Sequence, residues 1–556
     1  MQSLLISLSE KLEKSFFLKS VFFSIATIIT ISFLGYYFGT FDQTSHIPFL
    51  KKTVDPSLYP NDHYFTLRKS HYSFFWLFFQ PFYKLNILEI TLFILHILVI
   101  YLSYFLIYKL AKTIFNNHLT AFISIFAFIF PHITFAGFTI FEFSLLNRTF
   151  VFPFLLLSFN FYLKKKYILA YLILGLMYNL HVISVNFVLA MFLFDSFLRW
   201  KKIGFKKIAL NIIIFLIAAS PVLLWKFSHS GLGFEINWHW FNTIKKSLLN
   251  NIFNLTAVSP PLFFLTLNGL SLIILFFLLR RYLLKKHFVV INNFFYAGII
   301  ILVIQVITSY LLPLTIIIQS QIIRVGVFFI LFSYLLFSQF LAKLIIEKRL
   351  SNFQLFSLFI SLIFSIFPIW LLFSYIKYIK QKKIENYFPL LTIFQFLLFC
   401  FIAYRLDLWR PGINIYPNKI KGYKIQSWVK NNTPKDTVFI VPPYLLGLYS
   451  LDWRVISERT PIVTLSEIGE AAFEPNYIGY WERRFNDVVP EALTKFKGNF
   501  FENISIIKKT YKSLSEEQVK HLSKKYNASY FVTEKSTRYN FPIVYEDESF
   551  YLYKIR

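Results

Sequence analysis

A single cysteine, Cys400, stands inside an apolar run, so the chain has neither an intrachain disulfide nor a cysteine-ligated metal site. Charge is scarce as well, with Asp, Glu, Lys and Arg making up 15% of the 556 residues. Acids are rarest of all in the first 410 positions, which hold twelve. There is no Walker loop, Gly-x-Ser-x-Gly elbow, His-Glu-x-x-His pair or protein-kinase motif set, so soluble-nucleotide chemistry and zinc hydrolysis have no visible machinery. No metal or other cofactor is indicated.

What fills the chain is apolar. Hydrophobic residues are 56% of it, 72 of them Phe, and the mean hydropathy is +0.56. A water-soluble globule averages about 45–50%. So little polar surface suits a bilayer, where lipid tails tolerate exposed Phe, Leu and Ile.

The net charge of +29 divides unevenly: residues 1–410 carry +24 and residues 411–556 carry +5. The first excess sits in short clusters between apolar runs, such as Lys164 to Lys166 and Arg280 to Lys286. That is the pattern of positive-inside loops, not of a basic face for nucleic acid, and no nucleic-acid partner is expected.

About 20 apolar residues cross a bilayer core as a helix, and backbone groups in lipid find no other partners. Candidate spans fall near 19–39, 86–108, 115–131, 149–163, 167–180, 182–198, 208–225, 260–279, 288–312, 314–342, 353–375 and 388–406, a count of about 11–13. The first run, Val21 to Phe38, has no small-residue cleavage site after it and reads as a retained span. Lys11, Lys14 and Lys19 before it put the N-terminus in the cytoplasm. Residues 40–85, 132–148, 226–258 and a stretch around Pro313 then lie outside. Beyond residue 350 the rule conflicts with itself, because twelve crossings leave Lys377, Lys380, Lys382 and Lys383 outside. If those lysines are inside, the domain formed by 411–556 is extracytoplasmic.

That domain reads as a small α/β layer. Strands are expected at Thr437 to Pro443, Arg454 to Glu458, Pro461 to Leu465 and Ser529 to Thr533, with a closing hairpin of Pro542 to Tyr545 and Phe550 to Tyr553. A helix or turn covers Tyr444 to Ser450, and Glu516 to Tyr526 is an amphipathic helix. The fold class is thus a polytopic α-helical membrane protein with a small C-terminal α/β domain.

Five of the twelve acids lie in the outer segments: Asp42, Asp55, Asp62, Glu142 and Glu235. Asp42 follows the first span at once, where the helix end holds it at the membrane–water boundary. A partly desolvated carboxylate there suits a general base toward an acceptor hydroxyl, and the plainer reading is an interfacial helix cap. The first outer loop also carries His46 and Asp62, which are candidate substrate-binding residues. Its aromatic stretch from His71 to Tyr83, broken by Pro81, fits a helix lying in the interface plane.

Glu142 is a candidate second carboxylate. Arg148 suits phosphate, or snorkels to headgroups. In a helix these two, six apart, point to different faces and form no ion pair. Polar residues inside spans are costly and therefore informative. His181, beside Asn179, sits at an outer turn and suits a sugar or phosphate. Arg324, near Gln319 and Gln321, is the preferred phosphate ligand because a guanidinium grips phosphate oxygens bidentately. Trp238, His239 and Trp240 suit sugar stacking or an aromatic belt.

This layout resembles the GT-C superfamily of integral membrane glycosyltransferases. The resemblance rests on Asp42 directly after the first span, the long outer loop, Glu142 in the second outer loop, and a C-terminal domain after the last span. Trp428 to Pro443 and Tyr526 to Thr533 are similar to domains of bacterial members that lie outside the cytoplasm, so the resemblance implies an extracytoplasmic 411–556. The resemblance implies a catalytic Asp42, a polyprenyl-phosphate sugar donor, an inverting transfer, and a glycan, lipid or protein acceptor outside the cytoplasm. Where the family often shows two adjacent acids, this chain has Asp42-Gln43. That departure leaves open a non-catalytic envelope assembly protein, and a lipid or polysaccharide transporter is the other alternative. A transporter is expected to show internal repeats and mid-bilayer polar residues, and neither is evident.

Overall fold

The computed structural model describes residues 2–229, 235–247, 260–364, 371–372, 388–405, 408–445, 450–498 and 500–556. Among them, six helices are long and apolar enough to cross a bilayer: Phe16–Leu34, Leu88–Phe115, Phe205–His229, Leu265–Tyr282, Lys285–Tyr310 and Ile322–Ile346. Shorter apolar helices, Tyr167–Tyr178, Val182–Leu198, Asn352–Ile363 and Thr392–Tyr404, accompany them. The chain is a polytopic helical membrane protein with a small sheet domain at its C-terminal end.

Helix Ile322–Ile346 is the innermost, buried around most of its surface, whereas Phe205–His229 leaves seven large apolar side chains exposed, Ile217 and Leu224 among them, as suits lipid contact. Leu88–Phe115 has 28 residues and therefore rises about 42 Å, more than the roughly 30 Å hydrocarbon core, so it tilts or protrudes.

Two expected spans are interrupted. The run 115–131 is a nine-residue helix, His118–Phe126, of about 14 Å, too short to cross alone. The run 314–342 is broken at its polar start: Thr315–Gln319, a left-handed Gln321, a 3-10 turn Ile322–Val325, and only then the helix Gly326–Ile346. Lys377, Lys380, Lys382 and Lys383, on which the sidedness of the soluble domain turns, lie outside the described residues.

Among the described residues, Asp195 is an acid held deep in the bundle. Asp195 is wholly buried, and it accepts hydrogen bonds from Tyr162 Oη at 2.7 Å, Asn293 Nδ2 at 2.8 Å and Arg199 Nε at 2.8 Å. Its oxygens are fully engaged, as a buried carboxylate must be, and the network ties three helices together.

Strand β1 (Tyr36–Tyr37) follows the first span and pairs in parallel with β2 (Ile413–Asn414), which follows the last. The C-terminal domain holds a five-stranded sheet of β3 (Val438–Ile440), β4 (Thr460–Pro461), β5 (Ala528–Glu534), β6 (Ile543–Glu546) and β7 (Phe550–Lys554), in the order β4-β3-β5-β7-β6. The β4-β3-β5 half is parallel, and β5-β7-β6 is antiparallel with the expected hairpin. Helix Glu516–Tyr526 forms where its pattern places it, opened by a Ser515–Gln518 capping box. Arg454 to Glu458, expected as a strand, is instead a short helix, Trp453–Ser457. Asp452 caps its start through the Arg454 N–H, and Glu458 ends it at φ +55°. In Tyr444 to Ser450, residues 446–449 lie outside the described residues.

The soluble domain is welded to the first loop. Arg454, buried at 1% exposure, donates from Nε to Asp62 Oδ2 at 2.7 Å and from Nη2 to Asp62 Oδ1 at 3.1 Å, and also reaches Glu467 Oε1 at 2.8 Å. Lys51 Nζ donates to Glu458 Oε1 and to the Val455 carbonyl, each at 2.8 Å. Tyr59 Oη donates to the Arg454 carbonyl at 2.7 Å.

Candidate functional site

The first span ends at Leu34, and Gly35 turns the chain at φ +74°. Only glycine fits there, since a Cβ would lie 2.1 Å from the Arg410 carbonyl oxygen. Strand β1 is then held from two sides, by β2 and by the Tyr37 N–H donating to the Phe143 carbonyl at 3.1 Å. Gln43, fully buried, completes the fastening: its Oε1 accepts from the Gly39 N–H at 2.8 Å and its Nε2 donates to the Leu145 carbonyl at 2.9 Å. Phe41 takes a positive φ of 50°, uncommon for an aromatic residue and a local cost absorbed by these anchors.

Asp42 is thereby set at the N-terminus of helix Gln43–Val54, yet its side chain makes no capping bond. Its carboxylate turns to Arg148, whose Nη1 lies 2.5 Å from Asp42 Oδ2. The same guanidinium grips Glu142 with two donors, Nε to Oε1 and Nη2 to Oε2, the latter at 2.7 Å. The separation of six residues does not prevent this pairing. The segment before Asn147–Leu163 is not helical, so Glu142 folds back onto the first turn that carries Arg148. Arg148 thus bridges two carboxylates from two loops.

The Asp42 side chain is 45% exposed, while those of Arg148 and Glu142 beneath it are 21% and 18% exposed. The carboxylate is open to a visitor, but protein surrounds it. Burial pushes its pKa up, and Arg148 and Arg324 outweigh that and hold it at about 2. Asp42 is ionised at neutral pH.

Arg324 comes from the 3-10 turn before the innermost helix, within electrostatic reach of Asp42, Glu142 and Arg148. Its Cζ lies 4.4 Å from the centroid of the Phe138 ring. Its Nε is buried and has no hydrogen-bond partner among the described residues, and among them it forms no ion pair. Arg148 is already spent on two carboxylates, whereas Arg324 is a guanidinium with donors left over.

Two expected imidazoles join this group. His46 sits one helical turn after Asp42, stacked on Trp76 at 5.3 Å. Burial, then the Arg148 and Arg68 charges against the pull of Asp42, holds its pKa at about 4. His181 caps Val182–Leu198: its Nδ1 accepts from the Ser184 N–H at 3.3 Å, so the neutral ring carries its proton on Nε2. Burial with Arg148 and Arg324 nearby pushes His181 well below the usual range. Both rings are neutral at pH 7.

Asp62 stands apart. Both its oxygens are taken by Arg454, so it joins the soluble domain to the loop and is not brought to Asp42. The Trp238 to Trp240 stretch also serves the junction: Trp240 is buried with its Nε1 donating to the Ala471 carbonyl at 3.0 Å, and His239 meets Glu482 at 2.8 Å. Asn179 is used locally, donating to the Ala218 carbonyl and accepting from the Val222 N–H.

Two residues were not singled out from the sequence. Glu470, in helix Glu467–Ala471 of the soluble domain, contacts His71 Nε2 through Oε2 and lies within electrostatic reach of Asp42. His71 in turn packs against His46 with ring centroids 5.3 Å apart. Burial, against a hydrogen bond from Ser45 and with the Asp42 charge adding to it, pushes the Glu470 carboxyl up to about 8. Burial with His46 and Arg68 nearby pushes His71 well down. The pair is neutral at pH 7. A glutamate in a domain with sixteen acids carries no rarity signal, and His71 read as part of an aromatic surface stretch.

Two carboxyls with pKa values driven far apart, a spare guanidinium and neutral imidazoles are together equipped to bind an anion and to handle a proton. Among the described residues no group of three His, Cys, Asp or Glu is arranged to hold a metal ion. No protein-family model matches this chain, and no curated protein matches it.

Proposed function

We propose that this protein is a membrane glycosyltransferase of GT-C type, moving a sugar from a polyprenyl-phosphate carrier to a glycan, lipid or protein acceptor on the extracytoplasmic side. One observation carries the reading: an ionised, accessible carboxylate fixed at the exit of the first span beside a guanidinium with unused donors. A lipid-linked sugar phosphate brings its anion to the membrane boundary, which is where Arg324 stands.

Asp42 accepts a hydrogen bond from the acceptor hydroxyl and fixes its direction toward the anomeric carbon. Arg148 fixes Asp42 and Glu142 in turn. Arg324 takes up the charge that collects on the phosphate as the anomeric carbon–oxygen bond breaks, a bidentate contact that strengthens along the reaction. His181 Nε2 donates to the same group. Attack from the face opposite the phosphate inverts the anomeric centre. In this reading the N-terminus is cytoplasmic, and the soluble domain, docked on the first loop, is outside.

Gln43 accounts for the missing second acid. Its amide spans two backbone groups of opposite polarity, which a carboxylate cannot do, and Glu142 supplies the second acid from another loop. The competing reading is a non-catalytic envelope protein in which the Asp42–Arg148–Glu142 triad only clamps two loops. Purified protein in lipid nanodiscs, given labelled polyprenyl-phosphate sugars and envelope extract, decides between them. Asp42→Asn is expected to lower transfer by about 10²-fold through lost orientation of the acceptor, with the melting temperature nearly unchanged, because Arg148 keeps Glu142. An undiminished rate would leave the clamp as the better account.

A further inference from the structure

In the proposed transfer a proton must leave the acceptor hydroxyl, and Asp42 is badly placed to take it. Its Oδ2 is bound by Arg148 at 2.5 Å, and a carboxylate already neutralised by a guanidinium is a weak base. Close by stands a better-suited pair contributed from outside the membrane bundle.

Helix Glu467–Ala471 and the residues after it reach into the loop side of the bundle. Ser70 Oγ donates to Glu474 Oε2 at 2.5 Å, Gln319 Nε2 donates to the Phe473 carbonyl at 3.1 Å, and Trp240 holds the Ala471 carbonyl. These contacts set Glu470 against His71, and both remain slightly accessible, with side chains 10% and 13% exposed. The groups facing the pair are Asp42, Ser45 and His46 from helix Gln43–Val54, and Tyr64 and Arg68 from the loop before His71. Phe49 and Phe473 flank the His71 ring with centroids 5.3 Å and 6.2 Å away.

We propose that the Glu470–His71 pair accepts the proton of the acceptor hydroxyl, with His71 as catalytic base and Glu470 as its positioning residue, an inference that rests on the transferase reading above. With the pair singly deprotonated, the Glu470 carboxylate accepts from the His71 Nε2–H, and the Nδ1 lone pair is free. The acceptor O–H proton passes to Nδ1 while its electron pair forms the bond to the anomeric carbon. The anomeric carbon–oxygen bond breaks, and its pair leaves with the phosphate toward Arg324. The pair then holds one more proton, shared between carboxyl and imidazole, and returns it to water after product leaves.

The soluble domain on this account supplies part of the chemistry. The transfer rate of the parent protein should climb as pH rises from 7 to 9, as the pair loses its shared proton. Glu470→Gln keeps the shape and removes the titration, so it should lose about 10-fold or more in rate and flatten that climb, and His71→Gln should do the same. Both variants leave donor binding intact, which equilibrium binding of the labelled lipid measures. An activity-free check is infrared titration of the parent protein in bilayers. A protonated-carboxyl band absent from Glu470→Gln should vanish as pH passes about 8. Transfer by Glu470→Gln with the parental rate and pH profile overturns this inference alone. No transfer by the parent protein removes the transferase reading and this inference together. A Glu470 carboxyl already ionised at pH 6 overturns the pair whatever the activity.

Discussion

Arg148 Nη1 and Asp42 Oδ2 lie 2.5 Å apart although 106 positions separate them in the chain. The contact joins the exit of the first span to the entry of the helix that follows the second loop, and Glu142 closes it into a triad. Because one guanidinium serves both acids, the second arginine in the group, Arg324, keeps a buried Nε with no hydrogen-bond partner among the described residues.

Arg324→Lys should separate charge from geometry. Lysine keeps the cation but not the planar pair of donors, so donor KM is expected to rise by about 10-fold with a smaller effect on kcat. Steady-state rates over a range of polyprenyl-phosphate sugar measure this, and equal KM values would remove Arg324 from the donor site.

Gln43→Glu would create a pair of adjacent acids at positions 42 and 43, yet it should impair this chain. The Leu145 carbonyl would lose its donor and face a carboxylate in a fully buried place, at a cost of about 1–3 kcal/mol. Thermal unfolding in detergent reads the loss. A gain in transfer would show that the second acid was missed at position 43 and not replaced by Glu142.

Asp62→Ala tests the weld between loop and soluble domain. It leaves the buried Arg454 with Glu467 as its remaining carboxylate partner, and removing one member of a buried ion pair costs about 3–5 kcal/mol. Faster proteolytic release of the soluble domain is expected. Arg454→Met added to Asp62→Ala should not restore the lost stability, because the buried Glu467 is then left without its cation.

Stability should also depend on pH through Glu470. Its folded pKa of about 8 lies above the ordinary 4.5, so the folded state holds the extra proton. The stability this contributes is complete below pH 4.5 and is lost as pH rises through 8. Asp42 acts the other way. Its pKa of about 2 lies below 3.8, and its contribution is present above pH 3.8 and lost as pH falls through 2. Melting curves of the parent and Glu470→Gln between pH 5 and 9 should therefore converge on the variant's flatter profile at acid pH and part at alkaline pH, with the parent the less stable there.

Much of the architecture is legible in composition. Apolar runs of sufficient length place the crossing helices, the rarity of acids draws attention to Asp42 and Glu142, and the costliness of a guanidinium in a span draws it to Arg324. Helix Glu516–Tyr526 and the final hairpin follow from their periods and caps. What fails is anything set by a break in regular structure. A helical reading of 141–149 puts Glu142 and Arg148 on different faces, and the non-helical backbone before Asn147 brings them together. The run 314–342 reads as one span because hydropathy averages over the turn that presents Arg324. Arg454 to Glu458 has a strand's composition, but Asp452 caps it into a helix. Glu470 belongs to a domain where acids are ordinary, so only the approach of that domain to His71 makes it notable.

The seating of helix Glu467–Ala471 among three separate loops bears on timing. A ribosome makes the helical bundle before residue 470, so the nascent bundle lacks Glu470 beside His71. Ser70, Trp240 and Gln319 wait for partners at Glu474, Ala471 and Phe473, which are made after all three. Until that domain has folded and docked, His71 therefore stands without the carboxyl that meets it in the finished molecule.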